Sequence, residues 1–510
     1  MRKNLLTVAA LAVVAFFVST EIAKAADITF SGQIRTRMEI NEHSGGGTTA
    51  SSGIGTATSP SFDDNTDEFI FSSVRLAAKA NINDTTSAFI QMQSIRNWGN
   101  ESTVTGTFGE SAGSGNASGS ANNADASVGI HQAYFTLKNF GGIPADMKLG
   151  RQEIKLDGWR LFGNTIWTPG MQTHDAVTWH HKHDNTKITA GFIRAQENGR
   201  AEDKNDANDS DVFLLHSNHK GVMGGQLSLI YAFLDNGCGG VTGIANGTAQ
   251  TGCTNGENNF STLGFRQAGQ LYGLDYRGEF YYQTGRADGV QNVNAGSPNT
   301  DRSAYMFGLR VGKKFNNVMY KPAVTLWYDY LSGTTDEEQA DNDWSSFNTL
   351  FDTGHKYYGL QDIFLGIGGG GAAGTRGLGL QDLAIKFKLN PMPGWTLKLD
   401  AHAFATAEGI CANPQTSGIR CERGEKGGAV SDTFNQGDNA FLKSWLGNEF
   451  DLTLVNKYND NTKIMIGWSN FNGGNSFVRL KSQDGGTVGS QDANWAYLQF
   501  DRSEERRVGK

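Results

Sequence analysis

Residues 28–41 read ITFSGQIRTRMEIN, and this stretch decides the fold class. Ile28, Phe30, Ile34, Met38 and Ile40 occupy even positions, whereas every odd position carries a polar or charged side chain. Alternation of period two is typical of a β-strand with one apolar and one polar face. The run is long for a strand of a globular protein, but its length suits a tilted strand that crosses a membrane.

The same alternation recurs along the whole chain. It is clearest at residues 70–82, 276–283, 383–389, 397–403 and 463–469. The composition agrees, because only 38% of the residues are hydrophobic although the chain has 66 glycines and 30 phenylalanines. Low hydrophobicity with many glycines and aromatics fits a membrane barrel, whose strands are apolar on one side only.

Long polar spacers alternate with short turns between these strands. Nine long spacers lie near residues 43–66, 99–127, 157–174, 197–210, 236–258, 285–302, 333–376, 407–443 and 473–492. The short turns include residues 83–85, 184–185, 315–317, 390–394 and 459–461. Nine long spacers and eight short turns separate 18 strands. The alternation therefore predicts a single all-β, transmembrane antiparallel β-barrel of 18 strands, with 16 strands as the alternative. Long loops are expected outside the cell and short turns in the periplasm.

We expect three segments. Residues 1–25 resemble a cleaved signal peptide, with the basic residues Arg2 and Lys3, an apolar run from residue 5 to 18, and the small-x-small pattern at residues 23–25. An uncleaved anchor is the alternative. Residues 26–501 form the barrel, whose last strand is expected at residues 493–500. Residues 502–510, RSEERRVGK, resemble the translation of a sequencing adapter and are expected to be a non-native tail, or else a genuine basic tail.

The four cysteines fall into two local pairs, Cys238 with Cys253 and Cys411 with Cys421. Local pairs in an exported protein predict two loop disulfides. Their spacing does not resemble a zinc site or a haem attachment site.

Several classes of function are disfavoured. The net charge of −8 argues against nucleic acid as a partner. No nucleophile elbow, metalloprotease motif or phosphate loop is present, so we expect no catalytic residues, no cofactor and no metal. His180, His181 and His183 cluster at a turn, where solvation is favoured over metal binding.

Charged residues at inward positions are the first candidates for function. They are Arg35, Arg37, Arg75, Lys79, Arg277, Glu279, Arg310, Lys386, Lys388 and Lys398. Arg35, Arg37 and Arg75 should form one patch, with Arg277 facing them across the lumen. Such a wall would select anions, since rings of Arg and Lys do so. The alternative is that these charges pair across strands and only solvate the wall.

Two further features are candidates. Arg151 would line the pore if a bulge turned it inward, but it could equally lie at the outer rim. A loop with unusually many aromatic residues should fold into the barrel and narrow it, or stack on sugar rings. The alternative is packing at the rim. Its candidate residues are Phe347, Phe351, His355, Tyr357 and Tyr358.

An ordered set of segments resembles the alginate export family of outer-membrane porins. The segments are LGRQE (149–153), RLFG (160–163), HDAV (174–177), YRGE (276–279), FNTLF (347–351), GHKYYG (354–359) with Asp362, and LGNEFDL (446–452). The resemblance spans most of the chain and implies an 18-stranded barrel. Its best-known type exports an acidic polysaccharide through an arginine-rich pore, and many relatives are general or aromatic-compound porins.

The residues and the resemblance together predict a porin-like channel in the bacterial outer membrane. Small anionic or sugar-like solutes, including an acidic polysaccharide such as alginate, would cross it by passive diffusion. Its expected partners are outer-membrane lipids and these solutes. An outer-membrane enzyme and a structural or adhesion barrel remain the alternatives, and the oligomeric state is open.

Overall fold

The chain folds almost entirely into β-strands. The computed structural model describes residues 27–42, 66–98, 128–196, 210–236, 258–288, 300–365, 374–410, 444–474, 476–477, 480 and 492–508. Within these ranges an α-helix spans Asp336–Ala340, residues 476–477 and 480 are also helical, and 3-10 turns span Phe140–Gly142 and Gly354–Lys356. No helix in this part of the chain is long and apolar enough to cross a membrane.

Eighteen antiparallel strands, in chain order, build the barrel wall. They are β1 (Asp27–Glu42), β2 (Thr66–Asn81), β3 (Thr86–Asn97), β4 (Gly129–Leu137), β5 (Asp146–Gln152), β6 (His174–His183), β7 (Thr186–Gln196), β8 (Ser210–Val222), β9 (Gly225–Asn236), β10 (Phe260–Leu271), β11 (Leu274–Arg286), β12 (Asp301–Lys314), β13 (Ala323–Leu331), β15 (Leu380–Leu389), β16 (Trp395–Ala405), β17 (Trp445–Lys457), β18 (Thr462–Gly473) and β19 (Asp492–Val508). The short β14 (Asp343–Trp344) pairs with β12 in parallel and lies outside this ring.

Each wall strand pairs with its neighbour in sequence, and β1 pairs with β19 to close the ring. Closure matters physically because lipid cannot satisfy the hydrogen bonds of an open sheet edge. The predicted closed barrel of 18 strands is confirmed. The segments near residues 205–220 and 258–275, whose weak patterns leave 16 strands as the alternative, form the wall strands β8 and β10.

The polarity of the wall is inverted relative to a soluble protein. On β1, Ile34 is 53% exposed whereas Arg35 is 3% exposed. On β12, Leu309 is 54% exposed and Arg310 is 5% exposed. Apolar residues that face outward on strand after strand suit lipid as the surrounding solvent.

Short turns and long connections alternate, as the spacers predict. Tyr272 and Gly273 join β10 to β11 with φ values of 52° and 77°. Two successive residues with positive φ make a type I′ turn, whose twist matches that of the flanking strands. Short turns therefore lie at one end of the barrel, and the strand ends that lead into the longer connections lie at the other.

The last strand is longer than expected. Instead of ending at residue 500, β19 continues to Val508, which pairs with Ile28 of β1. The sequence RSEERRV is thus part of the strand that closes the barrel, and whether it is native stays a prediction. Residues 1–25 and all four cysteines lie outside the described residues.

Candidate functional site: a lumen divided by two inner loops

Two long connections turn into the barrel instead of extending away from it. The first inner loop (residues 153–173) joins β5 to β6, and the second inner loop (residues 332–365 and 374–379) lies between β13 and β15. They meet as a short ladder, in which the Gly163 amide donates to the Phe351 carbonyl (2.8 Å) and the Phe351 amide donates to the Leu161 carbonyl (2.9 Å). Each loop therefore satisfies backbone groups of the other.

Aromatic residues explain why these loops lie inside. Phe347, Phe351, Tyr357 and Tyr358 of the second inner loop are all buried. The ring of Phe351 packs against Phe162 of the first inner loop at 5.5 Å. Burying such side chains stabilises an inward-folded loop, so the expected aromatic segment lies within the barrel.

Arginines of β1 and β2 fix one end of the first inner loop. Arg35 Nη1 donates to the carbonyl of Ile166 at 2.7 Å, and Arg37 Nη1 donates to that of Trp167 at 3.0 Å. Arg75 Nη2 donates to the carbonyl of Pro169 at 2.8 Å. We call these three arginines the clamp. All three side chains are almost fully buried. In this conformation they donate hydrogen bonds to the backbone of the first inner loop and are not open to water in the lumen.

Trp167 connects the clamp to the second inner loop. The guanidinium of Arg37 lies 3.6 Å from the centre of the Trp167 ring, a cation–π distance. On the same indole, the His355 ring stacks at 4.1 Å, and His355 Nδ1 lies 2.8 Å from Asp362 Oδ2. His355 is therefore part of the contact between the two loops.

The other end of the first inner loop reaches the opposite wall. Asp157 Oδ2 lies 3.0 Å from His216 Nε2 on β8, and Asp157 Oδ1 accepts from Ser228 on β9 at 2.5 Å. Burial opposes ionisation of Asp157, but the hydrogen bonds from His216 and Ser228 outweigh it and lower its pKa. The loop thus crosses the lumen from β1–β2 to β8–β9.

A buried ion network lies beside this crossing. Arg160 Nη2 is 2.5 Å from Asp329 Oδ2 and 3.2 Å from Glu279 Oε1. Arg310 Nη1 is 2.9 Å from the same Glu279 oxygen, and Arg310 Nη2 is 3.2 Å from Asp329 Oδ2. The Tyr357 ring covers Arg160 at 3.6 Å. Two cations and two anions therefore compensate each other and join the loop to the wall.

A second group of cations is arranged differently. Arg266 of β10 and Arg277 of β11 are half-buried, and Lys356 of the second inner loop is exposed. They surround Gly158, where an added Cβ would lie 3.0 Å from Arg277 Nη1 and 3.8 Å from Arg266 Nε. We call these three residues the basic patch.

The basic patch carries net positive charge toward the lumen. None of its members forms a salt bridge with a residue that the structure describes. Lys356 Nζ donates to the Gly158 carbonyl at 3.0 Å. Burial within the barrel and the nearby cations Arg277, Arg160 and Arg266 lower the pKa of Lys356 to about 8. The patch can therefore offer donors and charge to an anion.

The remaining candidate lysines lie on the wall. Lys79, Lys388 and Lys398 are exposed toward the end with the short turns, and Lys388 pairs directly opposite Lys398. Lys386 is half-buried, and its Nζ lies 2.9 Å from Asp400 Oδ2. Lys386 and Arg277 of the basic patch lie 4.7 and 5.3 Å from the centre of the same Trp327 ring, whereas no contact in the described structure joins Lys79, Lys388 or Lys398 to the basic patch.

Arg151 does not reach the lumen. It donates from Nη1 to Asp175 Oδ2 at 2.8 Å, and Asp175 is mostly exposed. On the same strand, Gln152 points inward and is buried. Because neighbouring residues of a strand face opposite sides, Arg151 points outward, as Leu149 does. The bulge that would have turned Arg151 inward is absent from β5, and the rim alternative describes its position better.

Sequence reasoning missed the residues that organise the lumen. Arg160, Trp167 and Arg266 were not among the candidates, although the first inner loop carries eight large apolar side chains that an exposed loop would not need. They are Ile154, Leu156, Trp159, Leu161, Phe162, Ile166, Trp167 and Met171. That composition was the available signal. Arg266 lies in β10, where alternation is weak.

Comparison with known proteins agrees with the fold of an outer-membrane barrel. A family model described as "Alginate export" matches residues 28–490. No curated protein matches the chain. Three crystal structures share the fold: OccAB1 of Acinetobacter baumannii (12% identity, TM-score 0.52, covering 94% of this chain and 96% of that one), OccAB4 of the same organism (9%, 0.51, 94% and 98%) and OccK8 (OprE) of Pseudomonas aeruginosa (10%, 0.50, 94% and 98%).

Proposed function

The chain belongs to the alginate export family and forms a barrel of the bacterial outer membrane, and we propose that it is a porin-like channel for small anionic or sugar-like solutes. Solutes would cross by passive diffusion through the charged lumen. The observation that carries this proposal is the basic patch, where Arg266, Arg277 and Lys356 face the lumen without a carboxylate partner among the described residues.

The chemistry of the basic patch favours carboxylates. An arginine fork donates two parallel hydrogen bonds to one carboxylate, and a lysine adds a mobile donor. Several such groups in series lower the barrier for an anion without trapping it, because each releases the solute to the next. An acidic polysaccharide such as alginate presents one carboxylate per sugar and is therefore our favoured large solute.

Ion selectivity tests this proposal. Reversal potentials of the purified protein in planar bilayers, measured across a salt gradient, should show preference for chloride over potassium. The preference should weaken at high salt, because the Debye length falls to about 3 Å at 1 M. The double variant Arg266→Gln/Arg277→Gln should lose most of it.

A matched control removes the same kind of charge elsewhere. Lys79→Gln takes one inward cation from the short-turn end of the barrel and should change the selectivity little. Cation selectivity of the unmodified channel would contradict the proposal, and so would a double variant that remains as anion-selective as the parent.

Other assignments accompany this proposal. We propose that residues 1–25 are removed on export, that residues 502–510 are non-native, and that disulfides join Cys238 to Cys253 and Cys411 to Cys421. We also propose transport without catalysis, in place of an enzyme or adhesion barrel. Peptide mapping of the protein from outer membranes, with and without reduction, tests the disulfides, and free thiols or cross-loop pairs would contradict them.

A further inference from the structure

A separate charged cluster lies on the inner face of β15, β16 and β17. Strand pairing places Lys386 opposite Asp400, and Asp400 opposite Asp451. His402 and Asp382 lie beside them and are buried. Two carboxylates directly opposite each other on neighbouring strands repel, so a nearby cation is needed to stabilise this arrangement.

The contacts of Lys386 determine the tautomer of His402. Lys386 Nζ lies 2.9 Å from Asp400 Oδ2 and 3.0 Å from His402 Nε2. An ammonium group can only donate, so His402 Nε2 accepts and the ring proton is on Nδ1. That Nδ1 donates to Asp382 Oδ1 at 2.8 Å. Metal-binding histidines are held in the same way by a carboxylate behind the ring.

Asp451 supplies an independent observation. Its side chain is almost fully buried, and its Oδ2 accepts no hydrogen bond from any residue that the structure describes. This oxygen lies 3.9 Å from His402 Nε2. A buried carboxylate oxygen without a donor is costly, and here it points toward a nitrogen whose lone pair also faces the cluster.

We propose that Asp400, His402 and Asp451 bind a divalent transition-metal ion of the Zn²⁺ class. One ligand atom from each residue lies within 4.8 Å of the other two. One imidazole nitrogen with two carboxylate oxygens suits Zn²⁺, whereas Mg²⁺ and Ca²⁺ prefer oxygen ligands alone. The site adjoins the basic patch, because Lys386 and Arg277 lie 4.7 and 5.3 Å from the centre of the same Trp327 ring, but its ligands are different residues and it does not depend on the proposed solute.

Lys386 competes with the metal for this position. Its ammonium group now contacts two of the three ligands, so binding of an ion must displace it. The flexible lysine stem permits this movement. The Trp327 ring, 4.7 Å from Nζ, offers a cation–π contact for the displaced group. A bound ion would therefore neutralise the acids and return a lysine to the lumen.

Zinc titration of the full chain in detergent micelles tests the proposal, with binding followed by calorimetry. One Zn²⁺ should bind per chain. His402→Gln and Asp451→Asn should abolish binding, and Asp382→Asn should weaken it about 10- to 100-fold, because it removes only the carboxylate behind the histidine. Lys386→Met should tighten binding about tenfold or more, since a competing positive charge is removed.

The exposed turn histidines supply a control. His181 and His183, whose rings are 6.3 Å apart, could bind zinc at the surface, so all titrations use the His181→Gln/His183→Gln background. A heat-dependent gel shift confirms that each variant is a folded barrel. Absence of zinc binding in this background overturns the proposal. So does unchanged binding in His402→Gln and Asp451→Asn, or binding in Lys386→Met that is not tighter.

Discussion

The clamp and the basic patch both contain arginines on the inner face of the barrel, yet the arginines of the clamp bind loop backbone and those of the basic patch do not. Arg35, Arg37 and Arg75 are almost fully buried and donate to loop carbonyls. Arg266 and Arg277 are half-buried and contact no carboxylate that the structure describes. The position of a residue along a strand therefore determines whether its side chain points into the lumen. Whether that side chain then binds loop backbone or remains available to a solute depends on the inner loop that packs beside it.

The difference has a physical cause in the first inner loop. At residues 166–170 the loop presents carbonyl oxygens to β1, β2 and β3, and guanidinium groups are well suited to several such acceptors at once. At Gly158 the loop has no side chain, so Arg277 Nη1 approaches the loop backbone to 3.0 Å from where a Cβ would lie, and no loop carbonyl that the structure describes accepts from Arg266 or Arg277. Substitution of a buried arginine should therefore change stability and loop position, whereas substitution in the basic patch should change ion selectivity.

The largest effect is expected at Arg160, the most deeply compensated cation. Arg160→Met leaves Glu279 and Asp329 with one cation between them, and breaking a buried network of this kind costs about 3–5 kcal/mol. We expect the midpoint of urea unfolding to fall accordingly. Lys314→Met is the matched control, because Lys314 forms an exposed pair with Asp275, and such pairs contribute about 0–1 kcal/mol. Equal effects of the two variants would refute the distinction.

A smaller effect on stability, but a clear effect on transport, is expected from the clamp. Arg75→Gln removes one charged hydrogen bond to the first inner loop, the contact from Nη2 to the Pro169 carbonyl, which contributes about 1.5–3 kcal/mol. Release of the loop should raise single-channel conductance, and the flux of a uronate oligomer and of a neutral sugar of equal size should rise together. A selective fall in uronate flux would instead show that the arginines of the clamp act as a ladder for the solute.

That prediction departs from what the sequence alone suggests. Period-two alternation predicts the strands, the closed ring and the inward parity of Arg35, Arg37 and Arg75, because a strand has only two faces. It cannot predict that carbonyls of Ile166 and Trp167 arrive between those arginines and the water. Such contacts join residues more than a hundred positions apart, and no local pattern records them.

The proposed metal ligands follow the same rule. The sequence analysis expected no metal because it recognised no ligand motif, and the site that we propose at Asp400, His402 and Asp451 depends on strand register, which places Asp400 opposite Asp451. Conversely, the aromatic loop was predicted to fold inward because its composition is itself unusual. Features that depend on composition or on parity can be read from one chain, and features that depend on which loop meets which strand cannot.

Within the basic patch, the shape of the donor can be separated from its charge. Arg277→Lys keeps the positive charge but loses the planar fork that matches a carboxylate. We expect chloride selectivity to stay near that of the parent, while blockade of the current by a uronate oligomer weakens about tenfold or more, since one charged hydrogen bond contributes about 1.5–3 kcal/mol. Unchanged blockade would mean that the patch acts through charge alone.

The smallest effect concerns the pH dependence of Lys356. Partial desolvation inside the barrel and the cations Arg277, Arg160 and Arg266 lower the pKa of Lys356 to about 8, and Glu279 only partly opposes them. A lowered pKa means that the ammonium is charged below pH 8 and neutral above it, so the preference for chloride should fall as the pH rises from 7 to 9. Lys356→Arg should keep the higher preference throughout, and Lys356→Gln should show the lower one at both values. A decline of equal size in the parent and in Lys356→Arg would assign the titration to another group and remove Lys356 from the patch.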